Sequence, residues 1–585
     1  MPLVHRTTTD DPADRIGELL AMYGDSRTSV AGLLCDRHPA TAVAYTVAGP
    51  ADPEDANPED PHAGLDLRPV TYGELAESSE RFASALAALG VRPGDRVATL
   101  LGKSTELLTA VLGIWRLGAV HVPLFTAFAG PAVTMRLRHS AAAVVVCDPA
   151  QRPKLRPEPG GSAGPVPWRI IVTGTPEQTE TDQAHPADPA DPAHATDLRF
   201  DELLAAQQPG FPAARLGGGA PVVQIYTSGT TGSPKGVVVP AVALASFHAY
   251  QEFGLDVRPG DVFWNAADPG WGYGLYFGII GSFCVGAPSV LQRGGFSPAT
   301  TWAVLSRLGV TNFTAAPTVY RSLRTSDAAV PDGLRLRRAS SAGEPLTPEV
   351  NQWARQALGV LVHDHYGTTE TGMVINNHHH PAAYRPPRPG SMGHVMPGWT
   401  GAVLSGDGDE PAPPGVPGRI AFDLHRSPLA WFGGYEDDPG RTAEKFAGNG
   451  RWYLTGDVGS VDEDGYFRFQ ARDDDVIIMA GYRIGPFDVE SVLVTHPAVA
   501  EAGVIAAPDA VRGEVLEAYV VLRDPAAASP ALAEELRQQV KSGYAAHAYP
   551  RTVHFVQSLP KTPSGKIQRY ALRERRRAEL EAAGS

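Results

Sequence analysis

The sequence predicts an α/β protein in two units: a large multi-sheet N-terminal domain over residues 1–473 and a small α+β C-terminal domain over 474–585. Three observations carry that reading. At 585 residues the chain is too long for one ordinary core. Apolar strand-like runs alternate with amphipathic helical runs, the pattern that lays helices against a largely parallel sheet. The charge also divides. The net charge is −14, yet residues 475–585 hold 13 Lys and Arg against 13 Asp and Glu, so the whole acidic excess lies upstream.

Taken in order, YGELAESSERFASALAALG places its apolar side chains on one helical face, RPGD makes a turn, RVATLL reads as a strand, and a second helix ends near Gly118. Between Pro149 and Asp201 the chain is rich in Pro, Asp, Ala and Gly, and only WRIIVTG has strand character. The rest of that stretch, near 150–200, is expected to be a surface insertion or disordered loop. From Val222 to Ala471 strands and helices alternate again, broken by glycine-rich turns. Past the charged Arg472–Asp475, a compact β/α pattern follows: VIIMAG, the helix DVESVLVTH, then AEAGVIAAP and LEAYVVL.

Composition removes several function classes. With 43% hydrophobic and 19% charged residues the chain reads as globular, and no run of about 18 uncharged apolar residues is present to span a membrane. The start, MPLVHRTTTDDPADRIGELL, lacks the basic-then-apolar order of a secretory signal. Cys35, Cys147 and Cys284 lie far apart with no CxxC pair, which fits a reducing cytoplasm. The acidic balance argues against nucleic acid as a partner, and the basic run RERRR (Arg573 to Arg577) reads as a solvated helix.

The strongest local signal is VVQIYTSGTTGSPKGVVV. An apolar strand runs into Thr227, Ser228, Gly229, Thr230, Thr231, Gly232, Ser233, Pro234 and Lys235. Glycines let the backbone fold so that several N–H groups face one anion, hydroxyls add donors, and Lys235 adds charge. A triphosphate suits such a loop. A Walker A motif needs Gly before the Lys and Ser or Thr after it; Pro234 and Gly236 stand there instead.

This loop resembles that of the adenylate-forming superfamily, which includes acyl-CoA synthetases. Four further segments match in order: SSAGEPL, DHYGTTETG, YLTGDVG with DEDGYFRFQARDDDVIIMAGYRIGP, and PKTPSGKIQR. The likeness is strongest to the acetyl and medium-chain acyl-CoA synthetase branch. It implies ATP, Mg²⁺ and CoA as reaction partners, a carboxylic acid substrate, and a mobile C-terminal domain. By the resemblance, Tyr366 in the run Asp364, His365, Tyr366, Gly367, Thr368 stacks on adenine. Thr369 bonds the α-phosphate, and Glu370 holds the metal, a hard cation that prefers carboxylate oxygen. Gly343, Glu344 and Pro345 close over the adenine, Asp457 accepts from the ribose hydroxyls, and Arg472 supports that clamp. Lys566 is the expected catalytic lysine, its ammonium bridging the attacking carboxylate and the phosphate.

The resemblance also implies a hinge at Asp474 and, after rotation, a thiol path lined by Ala480, Gly481 and Tyr482. Arg483 then faces the AMP phosphate, and Arg512 and Ser542 match positions that contact CoA. Two departures stand out. Ala471 replaces a usual Gly, and AAHAYPR lacks a usual lysine, which keeps a carrier-protein thiol, an amine or another small nucleophile open as the acceptor. Acetate-specific relatives close the acyl pocket with a tryptophan where this chain has Gly367, so a medium-chain or aromatic acid is expected. Trp271, Tyr273, Gly274, Met373 and Val374 are the expected lining, although the aromatic-glycine run is equally a pattern of core packing. His378, His379 and His380 point in different directions from adjacent positions, so a solvated loop is expected there and no zinc.

Overall fold

The computed structural model describes residues 11–50, 65–155, 167–174, 197–227, 235–344, 346–406, 408–472, 475, 477–479, 482–509, 513–543, 549–561 and 567–584. Local signals account for many of its elements. The helix Tyr72–Ala88 opens on a capping box, in which Thr71 Oγ1 accepts from the Glu74 N–H and the Glu74 carboxylate accepts from the Thr71 N–H at 2.7 Å. Its buried stripe includes Leu75, Phe82 and Leu86. The next helix, Thr105–Leu117, is capped by Ser104 and ends at Gly118 in the left-handed conformation. It is buried all round from Leu107 to Leu117, the mark of a helix inside the body. A Cβ on Gly113 would stand 2.7 Å from the Phe82 ring, so the two helices can approach this closely only through glycine.

Three sheets form the large unit among the described residues. One has the order Leu198–Arg199, Arg169–Val172, Val144–Cys147, Arg96–Leu100, Val120–Pro123, Pro221–Thr227 and Lys235–Pro240, parallel except for the last pair. Its interior strand VVVC is wholly buried, as a strand covered on both faces should be. A nine-stranded sheet carries Asn312–Ala315, Arg338–Ala342 and Val362–Thr368 in parallel, followed by the antiparallel Gly372–Asn376 and the edge strand His394–Val395. The third sheet is antiparallel and contains Gly418–Asp423, Phe446–Ala447, Trp452–Val461 and Phe467–Arg472. The expected insertion contributes the strand Arg169–Val172, and its other residues lie largely outside those described.

The small unit holds its own core of Ile477, Val489, Leu493, Val504, Leu516, Val520 and Leu536. The helix Pro486–Leu493 packs on the antiparallel pair Val499–Asp509 and Gly513–Leu522, with Thr552–Phe555 added in parallel. The chain-terminal helix Arg569–Gly584 docks on this unit through charge. Arg569 pairs with Glu490 at 2.6 Å and with Asp475 at 3.4 Å, Arg573 pairs with Asp475 at 2.6 Å, and Arg576 pairs with Glu517 at 2.7 Å. The solvated-helix expectation for RERRR therefore holds for only half the run. Arg575 and Arg577 pair within the exposed face of their own helix, while Arg573 and Arg576 tie it down. No helix among the described residues is long and apolar enough to cross a membrane.

Candidate active site

All three sheets of the large unit send side chains to one cleft. The nine-stranded sheet supplies Tyr366, near the end of the strand Val362–Thr368, and Glu370 in the turn beyond it. The antiparallel sheet supplies Asp457 and Arg472, which stand directly opposite each other in adjacent strands. The third contribution is Lys235, first residue of the strand Lys235–Pro240.

Two groups of contacts hold these positions. The Tyr366 hydroxyl donates to Asp457 Oδ2 at 2.5 Å, and Arg472 Nε lies 3.4 Å from Asp457 Oδ1. Burial, then the Asp457 charge, holds the Tyr366 hydroxyl far above its usual pKa, so it stays protonated as a donor. Glu370 is buried, and its Oε1 accepts from the Tyr435 hydroxyl at 2.6 Å. Lys235 Nζ lies 5.0 Å from the centroid of that same Tyr435 ring. Tyr435 reaches the site because its backbone bridges Val237 and the next residue, Glu436, donates its N–H to Gly236 O. Thr455 sets the backbone ahead of Asp457 by accepting its N–H at 3.1 Å.

The neighbouring expected residues also gather here. Thr369 O accepts from the Tyr276 hydroxyl at 3.1 Å, and the Thr368 hydroxyl lies 3.1 Å from that of Thr371. Gly343, with a φ of 96°, leads into Glu344, whose carboxylate is held by Thr318 at 3.0 Å and Arg321 at 2.7 Å. Asp364 accepts from the Leu346 N–H at 3.4 Å, and burial pushes its pKa up to about 8. His365 accepts from the Tyr250 hydroxyl at 2.6 Å. Its other nitrogen faces Asn377 O, which only accepts, so the proton sits on Nε2. Tyr250 in turn lies 3.1 Å from Tyr273, and Tyr273 2.6 Å from Thr314.

Among the expected acyl-lining residues, Tyr273 is only partly buried, while Met373 and Val374 belong to the core. Trp271 packs edge-on to Phe128, and Phe247 stacks on Tyr276 at 4.4 Å. Two glycines answer first to the backbone. A Cβ on Gly274 would stand 2.1 Å from Asp268 O, and one on Gly367 would stand 2.0 Å from Gly372 O, at a bulge in the strand pairing. Gly367 is thus required locally by the approach of the next strand.

Ser228, Gly229, Thr230, Thr231, Gly232, Pro345, Asp474, Ala480, Gly481, Arg512 and Lys566 lie outside the described residues, and of Tyr482 and Arg483 the backbone alone is described. Ser542 is exposed on the helix Pro530–Gly543, with its hydroxyl donating to Gln538 O.

The three-histidine run departs from expectation. His378 and His379 are buried, and His379 Nε2 lies 3.0 Å from Ser340 Oγ; only His380 is partly exposed. The run follows directly on the buried strand Gly372–Asn376 and turns beneath Arg338–Ala342, which is why it enters the core. Among the described residues, His363, His365 and His379 bring nitrogens within 4.8 Å of one another. Their geometry opposes a metal. Both His365 nitrogens are engaged, and the rings of His363 and His379 stack at 3.7 Å and 9°, so their lone pairs lie in separate, nearly parallel planes instead of converging on one point.

Tyr276, Tyr435 and Lys445 escaped sequence reasoning. Lys445 donates to Leu454 O at 3.4 Å and Thr455 O at 3.0 Å, beside Asp457. A hairpin signal existed for it: AGNG folds Phe446 back against Tyr453, which sets Lys445 next to the TGD segment.

A two-unit α/β body with a cationic, carboxylate-bearing cleft at its strand ends defines a nucleotide-using enzyme of the adenylate-forming class. Residues 54–428 match the AMP-binding enzyme family, and residues 488–566 match the AMP-binding enzyme C-terminal domain. The chain belongs to the AMP-binding enzyme family. It is 38% identical to an acetyl-coenzyme A synthetase of Bacillus subtilis over 511 residues, 86% of this chain and 84% of that one. In structure it resembles an acyl-CoA synthetase of Brucella canis (40% identity, TM-score 0.70, 98% of each chain). It also resembles a benzoate CoA ligase of Burkholderia xenovorans (28% identity, TM-score 0.76, 93% of this chain and 99% of that one).

Proposed function

We propose that this chain is an AMP-forming acid–CoA ligase. A carboxylate oxygen attacks the α-phosphorus of ATP and pyrophosphate leaves; the CoA thiol then attacks the acyl carbon and AMP leaves. One observation carries the reading: two contact sets drawn from three sheets, Tyr366–Asp457–Arg472 and Glu370–Tyr435–Lys235, lie within electrostatic reach of the same Lys445 ammonium and so share one cleft. The CoA-forming relatives favour CoA over a carrier protein or amine as acceptor.

Within that reading, Tyr366 offers its ring to adenine while Asp457, aligned by Tyr366 and Arg472, accepts from the ribose hydroxyls. Glu370 fits a magnesium site, because it is a buried carboxylate oriented through one oxygen and Mg²⁺ takes one or two such ligands beside phosphates. Bound magnesium neutralises charge on the phosphate chain. Lys235 supplies further positive charge, Thr369 faces the α-phosphate, and Lys566 meets the attacking oxygen. We assign the domain boundary and hinge to 473–474, and the acid to the medium-chain or aromatic class on the strength of the Trp271, Phe247 and Tyr276 rings. A cytoplasmic location is supported by three buried free thiols, Cys35, Cys147 and Cys284. Pyrophosphate release measured over fatty and aryl acids, with and without CoA, tests the proposal. Release with no acid on that panel would reject it.

A further inference from the structure

Lys445 is a half-buried cation that forms no ion pair among the described residues. It stands at the foot of the hairpin that leads to Asp457, and Leu454 N–H donates to its carbonyl at 2.8 Å. Its ammonium turns inward, bonds the Leu454 and Thr455 carbonyls, and lies 5.9 Å from the centroid of the Tyr453 ring. An ammonium carries three N–H donors, so two carbonyls leave one to be met. Among the described residues none of its contacts is a carboxylate within 4.0 Å.

Its surroundings are those of an anion site. A Cβ on Gly456 would stand 3.3 Å from Lys445 Nζ and 3.9 Å from Arg472 Nη2, so the two cations flank one turn that glycine keeps open. Glu370, Lys235 and Asp457 all act on this ammonium electrostatically. Among the described residues acting on one another here, three cations (Lys235, Lys445, Arg472) outnumber two carboxylates (Glu370, Asp457) by one. Burial lowers the Lys445 pKa, and a phosphate oxygen would reverse that cost.

We propose that Lys445 is a nucleotide-binding residue whose remaining N–H donates to the α-phosphate of ATP and of AMP. The inference rests on the ribose and metal sites assigned above: Asp457 marks one end of the nucleotide, Glu370 the metal-bearing end, and the α-phosphate lies between. A contact present in ATP, adenylate and AMP alike strengthens binding of all three, so its loss raises KM for ATP more than it lowers kcat.

The test compares AMP with adenosine by calorimetry on the full chain. Lys445→Met is expected to weaken AMP binding about 10- to 100-fold and to leave adenosine binding as in the wild type, with Lys445→Arg recovering most of the loss. Unchanged AMP affinity overturns the inference, and so does an equal loss for AMP and adenosine, which would make Lys445 a hairpin latch. Should Lys445→Met fail to fold, Lys445→Gln, which keeps a donor to the carbonyls, gives the same comparison. Wild-type protein that binds neither AMP nor ATP would instead refute the nucleotide site itself.

Discussion

Replacing Tyr435 by phenylalanine removes one oxygen and leaves the ring, which isolates the bond that orients Glu370. That hydroxyl stands 2.6 Å from Glu370 Oε1, and the carboxylate is buried. A hydrogen bond to a charged group contributes about 1.5–3 kcal/mol. At about 1.4 kcal/mol per tenfold change this is a loss of roughly 10- to 150-fold in kcat/KM for ATP. Because Glu370 is assigned to magnesium, the half-saturating Mg²⁺ concentration should rise with it. Lys235 keeps its ring partner in this variant, so the attraction of about 0.5–1 kcal/mol across 5.0 Å survives. Tyr435→Leu should then lose a further factor of about 2–5. Acid-dependent pyrophosphate release titrated with Mg²⁺ measures both. A Tyr435→Phe enzyme with wild-type rate and wild-type Mg²⁺ midpoint would refute the reasoning.

Other variants test separate links. Lys566→Ala should abolish adenylate formation yet largely spare thioester formation from supplied acyl-AMP; equal loss in both half-reactions rejects that division. Arg569→Met strands the buried Glu490 carboxylate and should destabilise the small unit by about 3–5 kcal/mol in urea unfolding. Gly274→Ala drives a methyl group onto Asp268 O and should cost about 1–3 kcal/mol while displacing Tyr273, read as lost acid-dependent turnover. Burial lowers the pKa of His363 to about 4, of His378 to about 4 and of His121 to about 3, against about 6.5 unfolded. Their contribution is therefore present above pH 6.5 and lost as pH falls from there towards 4, at up to about 1.4 kcal/mol per pH unit for each ring. Urea midpoints that stay flat between pH 7 and 5 would count against it.

Legibility followed the range of the interaction. The helix from Tyr72 and its capping box, the end at Gly118, and the strand before Thr227 were readable because their causes lie within a few residues. The cross-strand partnership of Asp457 and Arg472 was anticipated through resemblance, and the register puts them opposite each other. What escaped depended on distant backbone. His378 and His379 look solvent-borne beside His380 until Arg338–Ala342 is laid over them. Tyr435 has no motif of its own and reaches Glu370 because a single bridge to Val237 carries it there. Gly367, read from sequence as room for substrate, has a nearer cause in the Gly372 carbonyl.

The anchoring around Arg569 has a mechanical consequence. Lys566 immediately precedes Ile567, which bridges back to Lys561, while Lys561 is tied to Glu501 and Arg569 to Glu490 and Asp475. Both points from which that segment departs are moored to the body of the small unit. With the hinge proposed at 473–474, these ties would make the described part of the small unit, from Asp475 to the helix Arg569–Gly584, turn as one piece. Loosening these ties should then weaken the proposed rotation while leaving the proposed catalytic lysine itself unchanged.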